Sequence, residues 1–152
     1  MPELQTKNFG VLPFSAESVF EFPLGLPGFE GRRRFVPVQE PRAAPIIFLQ
    51  SVEEPSLCFV TMPVLVLDPA YRLQMVEQDL NLLEWHAERQ PEVGADVLCL
   101  AVLSLRENGS TANLLAPVVV NLKNNKAVQS VAAESNYSLR HPLFPWETCA
   151  CS

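Results

Sequence analysis

The sequence predicts an all-β fold, a sandwich or barrel of about eight to ten short strands with one short helix. Three observations carry this expectation. Short apolar runs are separated by turn signals roughly every 8–12 residues. Fourteen prolines in 152 residues punctuate the chain, which favours short strands over long helices. The run from Leu114 to Leu122 is nearly all apolar and β-branched at its centre. That is the composition of a strand buried on both faces or lining a closed barrel.

The elements follow in chain order. Leu4 to Leu12 reads as a loose first strand ended by Pro13, and Val19 to Phe22 as a brief one stopped by Pro23. In Leu24-Gly25-Leu26-Pro27-Gly28-Phe29-Glu30-Gly31, glycines flank a Leu-Pro pair, which specifies a tight turn. Arg32-Arg33-Arg34 follows as a solvated strand start, because successive strand side chains point to opposite faces and form no single basic patch. Phe35 to Val38, Ile46 to Val52 and Leu57 to Met62 read as strands, with a turn at Glu53-Glu54-Pro55. Val64 to Leu67 leads into the turn Asp68-Pro69-Ala70-Tyr71. Tyr71 to Glu77 alternates apolar and polar side chains with period two. Asp79 to Gln90 is the helix: Asp79 can cap it, Leu80 and Leu83 share a face, Glu84 and Glu88 lie on the polar side, and Pro91 closes it.

Val97 to Leu105, Leu114 to Leu122 and Ala127 to Ala132 form a meander through the turns Glu107-Asn108-Gly109-Ser110 and Lys123-Asn124-Asn125-Lys126. Asparagine tolerates left-handed backbone angles, so the second turn suits a hairpin. Pro117 cannot donate to a ladder, which predicts an edge or a bulge there. Asn113 and Asn121 frame the middle strand, and Gln129 faces it across the turn. Such residues either contact a partner or bond their own backbone near turns. Asn136 to Arg140 is a last strand or a turn of helix. Phe144 and Trp146 can dock from an otherwise frayed end.

A chain of 152 residues that is 48% hydrophobic forms one domain with a sizeable core. Residues 1–144 are expected to form it, with 145–152 as a tail. The net charge of −6 opposes direct nucleic-acid binding, which needs a basic face, and favours a basic protein partner. The start, Met1-Pro2-Glu3-Leu4-Gln5, lacks the basic and apolar regions of a signal peptide. No apolar run approaches the ~20 residues that span a bilayer. A cytoplasmic protein without a membrane partner is expected.

Cys58 and Cys99 lie in apolar runs, where a thiol behaves as a small hydrophobe. Cys149 and Cys151 are spaced more tightly than zinc ligand pairs, and no second pair exists. Neither a metal nor another cofactor is expected. No nucleophile elbow, phosphate loop or paired-histidine motif is present. A Cys58–His86 or Cys99–His141 pair has no local sequence support, and Glu53-Glu54 reads as turn charge, so no catalytic residue is assigned. A barrel carrying a small apolar ligand is the alternative to a protein-binding role.

Several blocks taken together resemble a known family. Phe22-Pro23-Leu24-Gly25-Leu26-Pro27-Gly28-Phe29-Glu30 resembles the N-terminal signature of the bacterial flagellar assembly factor FliW. Phe48-Leu49-Gln50-Ser51 resembles its next block, and Asp68-Pro69 with Tyr71 its central turn. Thr111 to Asn121, with Gln129 beyond it, is similar to its most specific stretch, and Tyr137 with Arg140-His141-Pro142-Leu143 to its ending. The blocks run in order from about residue 9 to 143. Leu80 to Glu92 is more apolar than the pattern, and the end from Pro145 lies outside it. The resemblance implies a small antiparallel β-barrel-like domain without catalysis or cofactor. It implies binding to CsrA, a small basic RNA-binding dimer, with relief of its repression of flagellin translation. It also implies binding to flagellin itself. Phe29, Glu30, Gln50, Asn113 and Asn121 are the expected contact residues.

Overall fold

The computed structural model describes residues 2–131 and 135–143. An N-terminal hairpin pairs β1 (Glu3–Thr6) with β2 (Gly10–Pro13). The main sheet then runs through β3 (Phe20–Glu21), β4 (Arg34–Val38), β5 (Ile47–Ser51), β6 (Cys58–Pro63), β7 (Val97–Ser104) and β8 (Thr111–Asn121). Each of these pairs antiparallel with the next. The far side of β8 takes β9 (Ala127–Gln129) beside residues 118–120 and β10 (His141–Pro142) beside residues 111–112. Glu21 then bridges to Lys126, and the Glu21 amide donates to the Asn125 carbonyl at 2.9 Å. This contact brings β3 back to the turn before β9, so the sheet is a nearly closed antiparallel barrel.

The predicted double burial of the central strands is present. Along β7, Leu98, Leu100 and Val102 face an inner cluster with Phe20, Phe22, Phe35, Leu49, Val118 and Val120. Val97, Cys99, Ala101 and Leu103 face an outer cluster with Val64, Tyr71, Leu73, Met75, Leu83 and Leu143. The outer cluster is covered by residues 64–96, the excursion between β6 and β7. Val118 and Val119 point to opposite faces and are both fully buried, each such side chain contributing ~1.5–3 kcal/mol.

Pro117 lies in a bulge, as its missing donor requires. Leu100 pairs with Val118 but Val102 pairs with Asn113, so residues 114–117 have no regular ladder to β7. Side chains satisfy the displaced backbone. Asn113 Oδ1 accepts from the Leu115 and Ala116 amides. Gln129 Nε2 donates to the Ala116 carbonyl, and the buried Tyr71 hydroxyl donates to the Leu114 carbonyl at 2.7 Å.

Several expectations need correction. The first strand is a hairpin of two. Val64–Leu67 (α1) is a four-residue helix, so the described residues hold two short α-helices rather than one. The second, α2 (Glu77–Leu82), starts two residues before Asp79 and stops well before Gln90. Val76 occupies the cap position, while the Asp79 carboxylate accepts from the Ser130 hydroxyl. The helix ends where Asn121 and Asn124 both donate to the Leu83 carbonyl and Glu84 turns left-handed at φ 57°. Tyr71 to Val76 keeps its period of two, with Tyr71, Leu73 and Met75 buried, but belongs to no ladder. Its amides are met by side chains: Tyr137 Oη accepts from Arg72, and Gln90 exchanges two hydrogen bonds with Met75. Asn136 to Arg140 is irregular, and the last strand among the described residues is His141–Pro142. The strand expected from Ala127 to Ala132 ends at Gln129. The docking of Phe144 and Trp146 and the pair Cys149 and Cys151 lie outside the described residues.

Candidate functional site

The loop from Phe22 to Gly31 is a series of tight turns built by its own sequence. Phe22 and Leu26 are buried anchors. Successive turns are closed by Gly25 N–H to Phe22 C=O, Phe29 N–H to Leu26 C=O and Arg32 N–H to Phe29 C=O. Gly25 adopts φ +70°, and a Cβ there would meet the Glu30 backbone at 2.6 Å, so only glycine fits. Phe29 lies edge-on to Phe59, with centroids 5.3 Å apart. The Glu30 carboxylate accepts from the Gly28 amide at 2.8 Å. Both side chains therefore hold the loop's shape, although Glu30 stays exposed.

The other expected contact residues lie apart from this loop and serve the backbone. Gln50 is fully buried. Its Nε2 lies within hydrogen-bond reach of the Ser51, Glu54 and Pro55 carbonyls, so it pins the turn after β5. Its Oε1 has no partner among the described residues, a cost of about 1–3 kcal/mol for a buried acceptor. Asn113 holds the bulge. Asn121, only 3% exposed, donates to Leu83 and accepts the Lys123 amide at 3.0 Å. Asn125 takes the left-handed conformation at φ 59°, as the hairpin required. Gln50 and Asn121 are buried, their side chains turned to the protein's own backbone.

Two of the three consecutive arginines are paired, which the reading of a solvated strand start passed over. Arg32 pairs with Glu54 at 2.7 Å and Arg34 with Glu53 at 3.0 Å. Glu53 also accepts from the Arg33 and Arg34 amides. Lys126 pairs with Glu21, and each holds the other charged: the Glu21 carboxyl lies below its ordinary value and the Lys126 ammonium above.

The net charge is unevenly placed. Residues 77–96 hold Glu77, Asp79, Glu84, Glu88, Glu92 and Asp96 against the single cation Arg89, which puts five of the chain's six net negative charges in this part of the excursion. Asp96 is paired with Arg89 at 2.6 Å and Asp79 is engaged by Ser130, whereas Glu77, Glu84, Glu88 and Glu92 are exposed. Val76, at the start of this segment, is 53% exposed. A windowed charge count along the sequence would have found the segment.

The thiols are placed for packing. Burial pushes Cys58 up to about 11 and Cys99 up to about 12, so both stay protonated near neutrality, unlike activated nucleophiles. The barrel interior is filled by the inner aromatic and aliphatic cluster, which gives the apolar-carrier reading no support. No helix among the described residues is long and apolar enough to cross a membrane.

These features define a small antiparallel β-barrel whose expected site residues mostly serve turns and bulges, with its charge carried on one excursion. The FliW protein family model matches residues 3–143, and the chain belongs to that family. A flagellar assembly factor FliW from Syntrophomonas wolfei is 33% identical over 135 residues, covering 89% of this chain and 84% of that protein. One from Caldanaerobacter subterraneus is 32% identical over 143 residues, covering 93% of each. A crystal structure of the flagellar assembly factor FliW superposes with a TM-score of 0.81 at 31% identity, covering 96% of this chain and 99% of that one.

Proposed function

We propose that this protein is a cytoplasmic flagellar assembly factor that binds and antagonises the translational repressor CsrA and also binds flagellin, coupling flagellin translation to assembly. Family membership supports the general role. The observation that carries the mechanism is the concentration of exposed negative charge on residues 77–96, a segment complementary in charge to a basic RNA-binding partner. Docked there, the acidic excursion adds negative potential where RNA phosphates approach, and exposed Val76, next to Glu77 in the chain, offers an apolar contact. Opposite charges across such an interface chiefly raise the association rate. Salt screens them over about 8 Å at physiological ionic strength.

The test is binding kinetics with CsrA at two salt concentrations, with flagellin then added as competitor. Raising salt slows association more than it speeds dissociation. Replacing Glu77, Glu84, Glu88 and Glu92 together by glutamine lowers the association rate. Each alone costs roughly 0–1 kcal/mol, as solvated rim charges do. Truncating an apolar residue central to the interface costs on the order of 2 kcal/mol or more. Absence of binding to both proteins at micromolar concentration and low salt removes this reading.

A further inference from the structure

The barrel wall has an unpaired edge. β9 bonds β8 through Asn121 N–H to Lys126 C=O at 2.8 Å and, just past its end, Ser130 N–H to Pro117 C=O at 2.9 Å. Main-chain groups alternate between the two sides of an antiparallel strand. Residues 126, 128 and 130 therefore turn toward β8, while the N–H and C=O of Gln129 and the N–H of Val131 turn away from it. On that side β3 meets β9 only at its start, where Glu21 bridges to Lys126. Pro23, two residues on, has no N–H and cannot extend the pairing. Among the described residues, the outward main-chain groups of Gln129 and Val131 have no hydrogen-bond partner. Unpaired edge groups of this kind are a template for a further strand.

Two chemistries flank the edge. Asp79 Oδ2 accepts from the Ser130 hydroxyl at 2.9 Å, which ties the start of α2 to β9, and exposed Glu77 lies two residues earlier. Neither carboxylate has an ion-pair partner among the described residues. Lys126 is engaged by Glu21. It stands four residues from Ser130, about 13 Å along a strand, beyond the screening length of about 8 Å. Val131 is 50% exposed, and side chains alternate along a strand, so it lies on the face opposite Ser130.

We infer that the edge from Gln129 to Val131 docks an extended segment of a partner protein in which lysine or arginine alternates with apolar residues. The segment adds one strand to the sheet, with its cations on the side of Asp79 and Glu77 and its apolar side chains on the side of Val131. The inference goes beyond the CsrA reading, and its test uses no CsrA, so either can fail alone.

The probe is an end-blocked heptapeptide of alternating lysine and valine, titrated into the full chain at low ionic strength and followed by backbone amide NMR shifts. One control carries glutamine in place of lysine, and a second is N-methylated at every peptide bond. In the free protein the Gln129 and Val131 amides exchange with solvent roughly tenfold or more faster than that of Ser130. The lysine peptide binds with a low-millimolar or tighter Kd, shifts residues 129–131 most and slows the exchange of Gln129. The glutamine control binds roughly two- to five-fold more weakly, the range of an exposed charge pair, and the N-methylated control does not bind. Asp79→Asn keeps an acceptor for Ser130 and reduces the preference for lysine. Val131→Pro removes an outward donor and weakens both unmethylated peptides. Thermal melts verify that the variants fold, and the exchange and titrations of the wild-type chain stand without them. Exchange of Gln129 as slow as that of Ser130, absence of binding at low millimolar peptide, equal binding of the N-methylated control, shifts centred elsewhere, or an Asp79→Asn variant that keeps the full lysine preference overturns the inference.

Discussion

Asn121 shows how a side chain singled out by the sequence can serve the backbone around it. Its amide joins three pieces of backbone: the end of β8, the turn after it, and the Leu83 carbonyl where α2 stops. Asn121→Ala leaves that carbonyl with Asn124 alone and orphans the Lys123 amide. The expected loss is about 1–3 kcal/mol, read as a lower denaturant midpoint at unchanged slope. Gly25→Ala is expected to destabilise by a comparable amount, on the order of 1–3 kcal/mol. The cause is a left-handed backbone angle and a Cβ driven into the Glu30 main chain. If either variant kept full stability and lost only partner binding, the structural role assigned here would be wrong.

At the scale of elements, the segment from Tyr71 to Val76 is instructive. Alternation of buried and exposed side chains was legible in its sequence; the absence of a neighbouring strand was not. Burial pattern is local, whereas a ladder depends on which backbone lies alongside. Here Tyr137 and Gln90 supply the bonds that a strand would have supplied, and Tyr137 also stacks on Tyr71 at 4.2 Å. Tyr137→Phe keeps the stacking and removes the acceptor for the Arg72 amide. Faster hydrogen exchange in residues 71–76, with β7 and β8 amides unchanged, is the result expected if the excursion opens as a unit separate from the barrel. Equal acceleration in β7 and β8 would mean that the two open together. The helix was misplaced for the same reason: its end is set by asparagines from a distant turn, while the leucine spacing of residues 80–83 continued to read as helix.

For the whole molecule, barrel closure rests on a short contact between β3 and the turn before β9, reinforced by the ion pair of Glu21 with Lys126. The Glu21 carboxyl is depressed below its ordinary 4.5, first by the hydrogen bond from Lys126 and then by its charge. Its contribution is therefore present above that ordinary value and is lost as pH falls through the lower, folded one. Lys126 is raised above its ordinary 10.5, so its contribution holds below that value and is lost as pH rises through the folded one. Stability from this pair is flat between these limits. Lys126→Met is expected to flatten the acid limb slightly in a series of thermal melts, a small effect for a solvent-screened pair. An acid limb unchanged from wild type would show that the pair does not assist closure.

The sequence by itself determined the all-β class, most strands of the main sheet, the turns at Gly25 and Asn125, the irregularity at Pro117 and the family. All of these follow from local stereochemistry and the order of short motifs: φ freedom, missing donors and side-chain alternation act on the residues that carry them. Only the tertiary structure decided that Gln50 and Asn121 face inward, that Arg32 and Arg34 are neutralised, and that β3 meets the turn before β9. Those outcomes depend on which distant segment arrives beside a given side chain, and the range of a side chain's own preferences ends a few residues from its Cα.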